Sequence, residues 1–470
     1  MGASEGRSEA SSRGADPTAL HEAAVRNLWL HFTAMGDVDP ADLQMIVRGE
    51  GCYLWDSRGK RYLDALAGLF AVNVGYSHGE EIGAAAAEQM AELPYYSNWT
   101  FAHPRAAELA AKLASLAPGD VNRVFFVSGG AEAVEAAWKM ARQYHALRGE
   151  RRWKVISRRV AYHGTTMGAL SLTAIPSLTT PFEPLVHDAV HVSNTTRLRR
   201  PEGETEEQFT ASLLVELEVA IEDAGADTVA MVIMEPVQNG GGAITPPAGY
   251  FQGVREICDR HGILLCADEV ITAFGRLGHW FGSERYDIRP DLITCAKGLS
   301  SAYVPIGALL VSDAVAEPFM APGKMYSHGM TFGGHPVACA VALKNLEILR
   351  REGIVEHVRE SEPAFRAELE TLLELPIVGE VRGAGFFLAL ELVRDKRTMQ
   401  TFTEAECDEL LRGFLSPTLF ERGLICRADD RGDPVVQVSP PLVAGPEQFA
   451  EIVGILRETL GEAAERMGVG

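Results

Sequence analysis

Short apolar runs, each followed at once by a glycine turn or an ionisable residue, constrain the fold of this chain more than any other feature. Four such runs lie at residues 124–127, 229–234, 263–267 and 292–296, with longer amphipathic stretches between them. This alternation predicts buried strands joined by helices, and therefore an α/β fold with a largely parallel sheet. The residues that follow such strands meet at the carboxyl edge of the sheet, where open α/β proteins bind their ligands.

The composition is that of an ordinary globular protein. Of the 470 residues, 47% are hydrophobic and 23% are charged, which favours a large folded core over disorder. The net charge of −21 would repel the phosphates of nucleic acid and an anionic membrane surface. The seven cysteines lie far apart, so neither a disulfide framework nor a metal site is indicated. No apolar run reaches the ~18 residues of a membrane span, and we expect a soluble cytoplasmic protein.

The two ends of the chain differ from its middle. Residues 1–16 are rich in Ser, Gly, Ala and Glu and predict a loose tail. The last ~120 residues predict a smaller α+β domain, with a turn and then a strand over residues 379–392 and an amphipathic helix after Pro446. The polar stretch at residues 197–207 predicts a surface loop.

Three strand ends carry residues that suit one cofactor. Lys297 follows an apolar run, where desolvation lowers the pKa of the amine and lets it form a Schiff base with an aldehyde. Asp268 ends another run, where a carboxylate is costly unless it faces a cation such as a protonated pyridine nitrogen. The turn at Gly129 and Gly130 opens a helix whose first N–H groups suit a phosphate. Taken singly, a strand-end lysine, a paired aspartate or an empty glycine turn explains each feature at least as well.

Six blocks of sequence resemble, in the same order, the signatures of the class III, pyridoxal phosphate-dependent aminotransferases. They begin at Phe125, Ala161, Met234, Cys266, Thr294 and His328. The resemblance covers nearly everything from about Leu30 onwards and is greatest to the ω-amino acid or amine:pyruvate branch. It implies a homodimeric fold-type I transferase with a mainly parallel sheet in a large domain at residues 76–345. Residues 17–75 and 346–470 would build the smaller domain.

The resemblance also implies roles for individual residues. Lys297 would bind pyridoxal phosphate covalently, and Asp268 would pair with its ring nitrogen. Further cofactor contacts would come from the backbone N–H groups of Gly129, Gly130 and Ala131, from Val270 and Tyr162 on the two faces of the ring, from Glu235, and from Thr331 of the neighbouring subunit. The family often has Ser where this chain has Ala131, which would remove one hydroxyl contact.

The substrate end of the implied site is built around Arg427. This residue matches an arginine that binds a substrate carboxylate and swings aside for a substrate without one, when Glu235 could hold it. Thr165 stands where branches that use acetylornithine or γ-aminobutyrate commonly have Arg, and this favours pyruvate over 2-oxoglutarate as the acceptor. The substrate pocket would be lined by Phe70, Trp99 and Tyr162.

The resemblance thus implies transfer of an amino group from an ω-amino acid or amine to a keto acid, with pyruvate as the favoured acceptor. Two other reactions on the same fold remain open, namely decarboxylation of a dialkylglycine and an intramolecular amino shift. A non-catalytic scaffold is less favoured because Lys297 and Asp268 are both present. The donor stays open between a β-amino acid, a diamine and the amine of another aldehyde.

Overall fold

The structure, a computed structural model, describes residues 17–200, 203–429 and 431–470, so the predicted tail at residues 1–16 lies outside the described residues. Its strands are β1 (Ile46–Glu50), β2 (Tyr53–Asp56), β3 (Arg61–Asp64), β4 (Val121–Val127), β5 (Lys154–Arg158), β6 (Ala189–Val192), β7 (Val229–Met234), β8 (Leu264–Asp268), β9 (Leu292–Cys295), β10 (Gly307–Ser312), β11 (Val378–Ala384), β12 (Phe387–Leu392), β13 (Leu424–Ile425), β14 (Arg427–Asp429) and β15 (Val435–Val438).

Helices account for most of the remaining regular structure. They are α1 (Pro17–Asn27), α2 (Ala67–Phe70), α3 (Gly79–Glu92), α4 (Pro104–Leu116), α5 (Gly130–Leu147), α6 (Met167–Leu172), α7 (Pro176–Thr179), α8 (Glu206–Ala224), α9 (Tyr250–His261), α10 (Gly282–Arg285), α11 (Asp313–Ala316), α12 (Pro336–Arg351), α13 (Ile354–Glu370), α14 (Glu404–Cys407), α15 (Ser416–Glu421) and α16 (Pro446–Met467). A π-helical turn, Asp408–Leu415, joins α14 to α15. No helix in the described ranges is long and apolar enough to cross a lipid bilayer.

A seven-stranded sheet forms the centre of the molecule, in the order β4-β10-β9-β8-β7-β5-β6. Only β10 runs antiparallel to its two neighbours in this sheet, so the prediction of an α/β fold with a mainly parallel sheet is confirmed. The four apolar runs form strands β4, β7, β8 and β9, and all six residues of β7 are buried.

Helices cover both faces of this sheet, which explains why its central strands β7, β8 and β9 are almost entirely apolar. Along β7, Met231 and Ile233 pack in one cluster with apolar residues of α5. Their neighbours Val232 and Met234 pack in another cluster with residues of α8 and α9. Alternation of side chains along a strand requires both sets to be hydrophobic when both faces are buried.

Of the two smaller sheets, one combines strands from both ends of the chain and the other is built from its C-terminal part. One has the order β1-β2-β3-β13, and its pair β3 and β13 joins Leu63 to Leu424 in parallel register. The other has the order β11-β12-β15-β14. Helix α16 confirms the amphipathic helix after Pro446, and Phe449 on it stacks on Phe365 of α13 with ring centroids 4.3 Å apart. The proposed domain limits stay a prediction, and the limit at residue 345 falls inside α12.

Two local predictions need correction. Residues 379–392 form a hairpin of two strands, β11 and β12, and not a turn followed by one strand. The glycines in this stretch favour a turn, but only Gly385, at φ 58°, lies between the strands, where its lack of a side chain permits this conformation. The predicted loop at residues 197–207 includes the start of α8 at Glu206, because Thr205 and Gln208 form a capping box there.

Two successive carboxylates, Asp268 and Glu269, lie at the end of β8, and the second binds the start of helix α10. Glu269, fully buried, accepts hydrogen bonds from the N–H groups of Gly282 and Ser283, both at 2.7 Å, at the start of α10. The hydroxyls of Ser283 and Thr272 also donate to it, at 2.6 and 2.5 Å. These four bonds hold the chain directly after Asp268 in one conformation.

We expect Glu269→Gln to lower the thermal midpoint by about 5 °C or more, because its amide leaves buried donors without an acceptor, at roughly 1–3 kcal/mol each. Unfolding would be followed by circular dichroism at one fixed scan rate. Glu256→Gln, on the exposed side of α9, is the control and should lie within about 1 °C of the parent. Equal midpoints for the two variants would contradict this account of Glu269.

Candidate active site

A cavity of about 520 Å³ lies where the carboxyl ends of the central strands meet. Residues that follow β4, β5, β7, β8 and β9 line this cavity, as the positions of the strand ends predict. Of the residues named from the sequence, the cavity is lined by Phe70, Gly130, Ala131, Tyr162, Thr165, Glu235, Asp268, Val270, Lys297 and Arg427.

Lys297 follows β9 and points its amine into the cavity, with Nζ 5.7 Å from the centroid of the Phe70 ring. Its backbone has φ 41°, a left-handed conformation that few residues other than glycine adopt. Asn345 of α12 holds this turn by donating to the carbonyls of Gly298 and Leu299, each at 2.9 Å. Burial lowers the pKa of Lys297 to about 8, although Asp268 raises it in part. Its amine is therefore partly neutral at physiological pH.

Asp268 is the last residue of β8 and is only 4% exposed. Its Oδ1 accepts from the Val270 N–H at 3.1 Å and from the Thr294 hydroxyl at 3.0 Å. Its Oδ2 lies 2.6 Å from Nδ1 of His163, which is also buried. A carboxylate with three such partners is held in place out of water and can face a further cation.

His163 is a site residue that the sequence analysis missed. It follows Tyr162 in the second family block and is anchored by its N–H, which donates to the Thr173 hydroxyl at 2.9 Å. Its other ring nitrogen, Nε2, has no hydrogen-bond partner among the described residues. Its position next to Tyr162 in the sequence could have indicated a site residue. Only the packing of the loop after β5 against β8, however, brings it to Asp268.

Glu235 follows β7 and is 5% exposed. Its Oε1 accepts from the Asn239 N–H at 3.1 Å, whereas Oε2 has no partner within the described residues. Burial raises the pKa of Glu235, and the nearby Asp268 adds to this effect. The structure thus leaves one buried polar atom of Glu235 facing a cavity that also holds Asp268 and Lys297.

The turn after β4 exposes the start of α5 to the cavity. Gly129 has extended backbone and its carbonyl accepts the Ala133 N–H at 3.1 Å, the first bond of the helix. Helix geometry leaves the N–H groups of Gly130 and Ala131 without intrahelical partners. A Cβ atom at Gly130 would lie 2.9 Å from Val270 Cγ1, so the close approach of Val270 requires glycine there.

The substrate end differs from the prediction. Arg427, on β14, forms an ion pair with Asp429, with Nε 2.7 Å from Oδ2. The expectation that Glu235 holds this arginine is therefore corrected, since Asp429 lies two residues along the same strand and its side chain is on the same side. Arg431 also lines the cavity and lies 3.6 Å from Asp429 Oδ1. The sequence analysis did not predict Asp429 or Arg431 as site residues.

Three predicted residues are not among those that line this cavity, namely Gly129, Trp99 and Thr331. Trp99 is 70% exposed and lies at a separate groove that also contains Gly329 and Met330. Thr331 is exposed next to that groove, and its carbonyl accepts from the Tyr95 hydroxyl at 2.6 Å. Conversely, several residues absent from the prediction line the cavity besides His163 and Arg431, among them His31, Phe32, Asn239 and Cys426.

The residues of the cavity fit pyridoxal phosphate. Lys297 supplies an amine of lowered pKa for an aldehyde, and Asp268 supplies a buried carboxylate for a ring cation. The unpaired N–H groups at the start of α5, an 18-residue helix, suit a phosphate. The side chains of Tyr162 and Val270 line the same cavity.

Comparison with known proteins agrees with this chemistry. The sequence profile of the family described as aminotransferase class-III matches residues 36–460. A probable aminotransferase of Mycobacterium tuberculosis is 53% identical over 451 residues, covering 95% of this chain and 96% of that protein. A putrescine–pyruvate aminotransferase of Pseudomonas aeruginosa is 41% identical, covering 92% and 94%.

Among solved structures, the omega transaminase of Pseudomonas jessenii in complex with PMP superposes with a TM-score of 0.90 at 35% identity, covering 96% of this chain and 99% of that one. The match of profile, sequence and structure extends over almost the whole folded chain. With its lysine, carboxylate and glycine turn gathered in one cavity, this chain belongs to the class III aminotransferases and transfers amino groups with pyridoxal phosphate as its cofactor.

Proposed function

We propose that the protein moves an amino group from an aliphatic amine or ω-amino acid to pyruvate. The observation that carries the proposal is the cavity itself, which is lined both by Lys297 and Asp268 and by a paired arginine, Arg427. Apolar side chains such as Phe70 line the same cavity. The similarity to a putrescine–pyruvate aminotransferase supports this choice of substrates.

Pyridoxal phosphate, when bound, supplies a ring that accepts electrons from the carbon that loses its proton. Lys297 would hold the cofactor aldehyde through Nζ, and its amine would carry a proton at the substrate carbon that bears nitrogen. A pKa of about 8 suits this work, because the amine then accepts a proton and returns it near neutral pH.

Asp268 would keep the ring nitrogen protonated, and three neighbours hold Asp268 in place for this task. The Thr294 hydroxyl and the Val270 N–H occupy one oxygen, while His163 occupies the other. The N–H groups of Gly129, Gly130 and Ala131 would hold the phosphate. Tyr162, Val270 and Glu235 would contact the ring.

Arg427 binds the carboxylate of the keto acid. It is half-buried and lines the cavity, where a guanidinium offers a planar pair of donors to a carboxylate. Thr165 lies exposed at the cavity wall, so this position offers no second guanidinium. Both features favour a small monocarboxylate acceptor such as pyruvate.

The active enzyme is a homodimer in this proposal. Thr331 lies on a surface with many exposed apolar side chains, among them Tyr96, Trp99, Phe101, Met325 and Phe332, each between 50% and 71% exposed. Exposed apolar surface of this kind is typical of an interface. A second copy seated there would bring Thr331 and Trp99 to the cavity of its partner.

The thiols are consistent with a reducing compartment, and we place the protein in the cytoplasm on that ground. All seven cysteines are free, and six of them are buried. Cys426 lines the cavity next to Arg427, but burial raises its pKa to about 12. It therefore stays a protonated thiol and takes no part as a nucleophile.

A donor screen tests the function. The holoenzyme would be given putrescine, β-alanine, γ-aminobutyrate or a simple monoamine with pyruvate or 2-oxoglutarate, and the alanine or glutamate formed would be measured. We expect alanine from at least one amine, little glutamate, and no turnover by Lys297→Ala. Borohydride reduction followed by peptide mapping should place the cofactor on Lys297.

The same assay separates the alternatives. Release of carbon dioxide from a dialkylglycine in step with alanine formation would replace the proposal by decarboxylation. An amino shift within one substrate would proceed without any keto acid. Glutamate in excess of alanine would reject pyruvate as the acceptor.

We expect Asp268→Asn to slow the donor half-reaction at least ~100-fold, because the amide has no charge to hold the ring proton. Thr294→Val is the matched variant. It removes one hydrogen bond to the same oxygen and leaves the charge, so we expect a loss below ~10-fold. Stopped-flow absorbance of the cofactor measures both. Similar losses in the two variants would show that packing, and not the charge of Asp268, sets the rate.

Complementation between subunits tests the dimer. Thr331→Glu should repel the phosphate in the neighbouring cavity, and Lys297→Ala should inactivate its own cavity, so each variant alone has little activity. A mixed dimer purified through two different tags contains one intact cavity and should recover close to half of the parent activity per dimer. Absence of recovery in a purified mixed dimer would place the effect of Thr331 within its own chain.

A further inference from the structure

We propose that Asp429 sets how strongly this enzyme binds the carboxylate of its keto acid, by competing with that carboxylate for Arg427, and that Arg431 weakens this competition. The inference rests on the proposed function, in which Arg427 receives the carboxylate of pyruvate. It adds two residues that determine the balance between a substrate with a carboxylate and one without.

The ion pair is built into the wall of the cavity. Arg427 and Asp429 lie two residues apart on β14, so their side chains are on the same side of the strand. Nε of Arg427 lies 2.7 Å from Oδ2 of Asp429, and their side chains are only 19% and 7% exposed. Since little water surrounds the pair, its attraction is stronger than that of an exposed surface pair.

A substrate carboxylate that reaches Arg427 meets this pair. Either it displaces Asp429 from the guanidinium, or it shares the guanidinium with Asp429 and is repelled by a second negative charge nearby. Both arrangements weaken binding of the substrate carboxylate. A neutral side chain of the same shape at position 429 removes the competitor and leaves Arg427 free to bind.

Arg431 contacts the other carboxylate oxygen of Asp429. Its backbone N–H donates to Oδ1 at 3.1 Å, and its Nε lies 3.6 Å from the same oxygen. Part of the charge of Asp429 is thus balanced by Arg431, which also lines the cavity. When Arg427 turns to a substrate, Asp429 retains a cation, so that its release of Arg427 costs less.

A donor amine without a carboxylate needs the opposite arrangement. An unpaired guanidinium in the cavity would repel a cationic amine and would have lost part of its hydration. Asp429 neutralises Arg427 in this half-reaction. The pair of Asp429 and Arg431 therefore allows one pocket to accept both substrates in turn.

The two half-reactions of the holoenzyme, followed separately by stopped-flow absorbance, test this inference. For Asp429→Asn we expect the apparent Kd of pyruvate to fall about three- to tenfold, while that of sec-butylamine stays the same or rises. For Arg431→Gln we expect the Kd of pyruvate to rise about threefold or more. The double variant should resemble Asp429→Asn, because Arg431 acts through Asp429.

Two further variants make the outcome decisive. Asp287→Asn removes the same charge from an exposed position and should leave the ratio of the two Kd values unchanged. Arg427→Ala should weaken pyruvate binding at least tenfold, and if it does not, the proposed carboxylate site itself is wrong. If Arg427→Ala does so but Asp429→Asn weakens pyruvate binding, Asp429 orients Arg427 and the competition is rejected. An unchanged ratio in Asp429→Asn rejects it equally, and retained cofactor absorbance verifies that each variant is folded.

Discussion

Asp268 ends the middle strand of the seven-stranded sheet with a carboxylate removed from water, and its neighbours satisfy that carboxylate with hydrogen bonds. A buried polar group without partners would be costly. The hydroxyl of Thr294, the N–H of Val270 and the ring of His163 supply these partners. They come from β9, from the turn after β8 and from the loop after β5, so the position of the Asp268 carboxylate depends on the assembly of the whole sheet.

Arg427, which lines the same cavity, presents a different electrostatic problem. Under the proposed function it attracts an anion in one half of the reaction and leaves an amine undisturbed in the other. Asp429, on the same short edge strand, and Arg431, just after that strand, surround Arg427 with one negative and one further positive charge. A strand of three residues, Arg427–Asp429, brings this carboxylate and guanidinium together without help from distant parts of the chain.

The sequence supported some conclusions about the site better than others. Apolar runs and the residues after them indicated Lys297 and Asp268, because a strand that is buried on both faces is visible in its composition. The same pattern indicated the turn at Gly130, and the family blocks added Tyr162; both residues line the cavity. His163 was overlooked because a histidine beside a turn has no pattern of its own. The pairing of Arg427 with Asp429 was missed because spacing of two residues signals proximity only when the local strand is recognised, and β14 is too short for that.

By itself, the sequence determined the α/β class, the strands β4, β7, β8 and β9, the helix after Pro446 and the family, since these depend on local periodicity and on ordered blocks of residues. Only the tertiary structure decided that residues 379–392 pair as a hairpin, that His163 lies 2.6 Å from Asp268, and that Asp429 and not Glu235 holds Arg427. The physical reason is the range of the interactions. Burial of a strand or of one helix face can be predicted from the pattern of neighbouring residues in the sequence. Hydrogen bonds and ion pairs between separate segments depend instead on how packed elements approach one another in space.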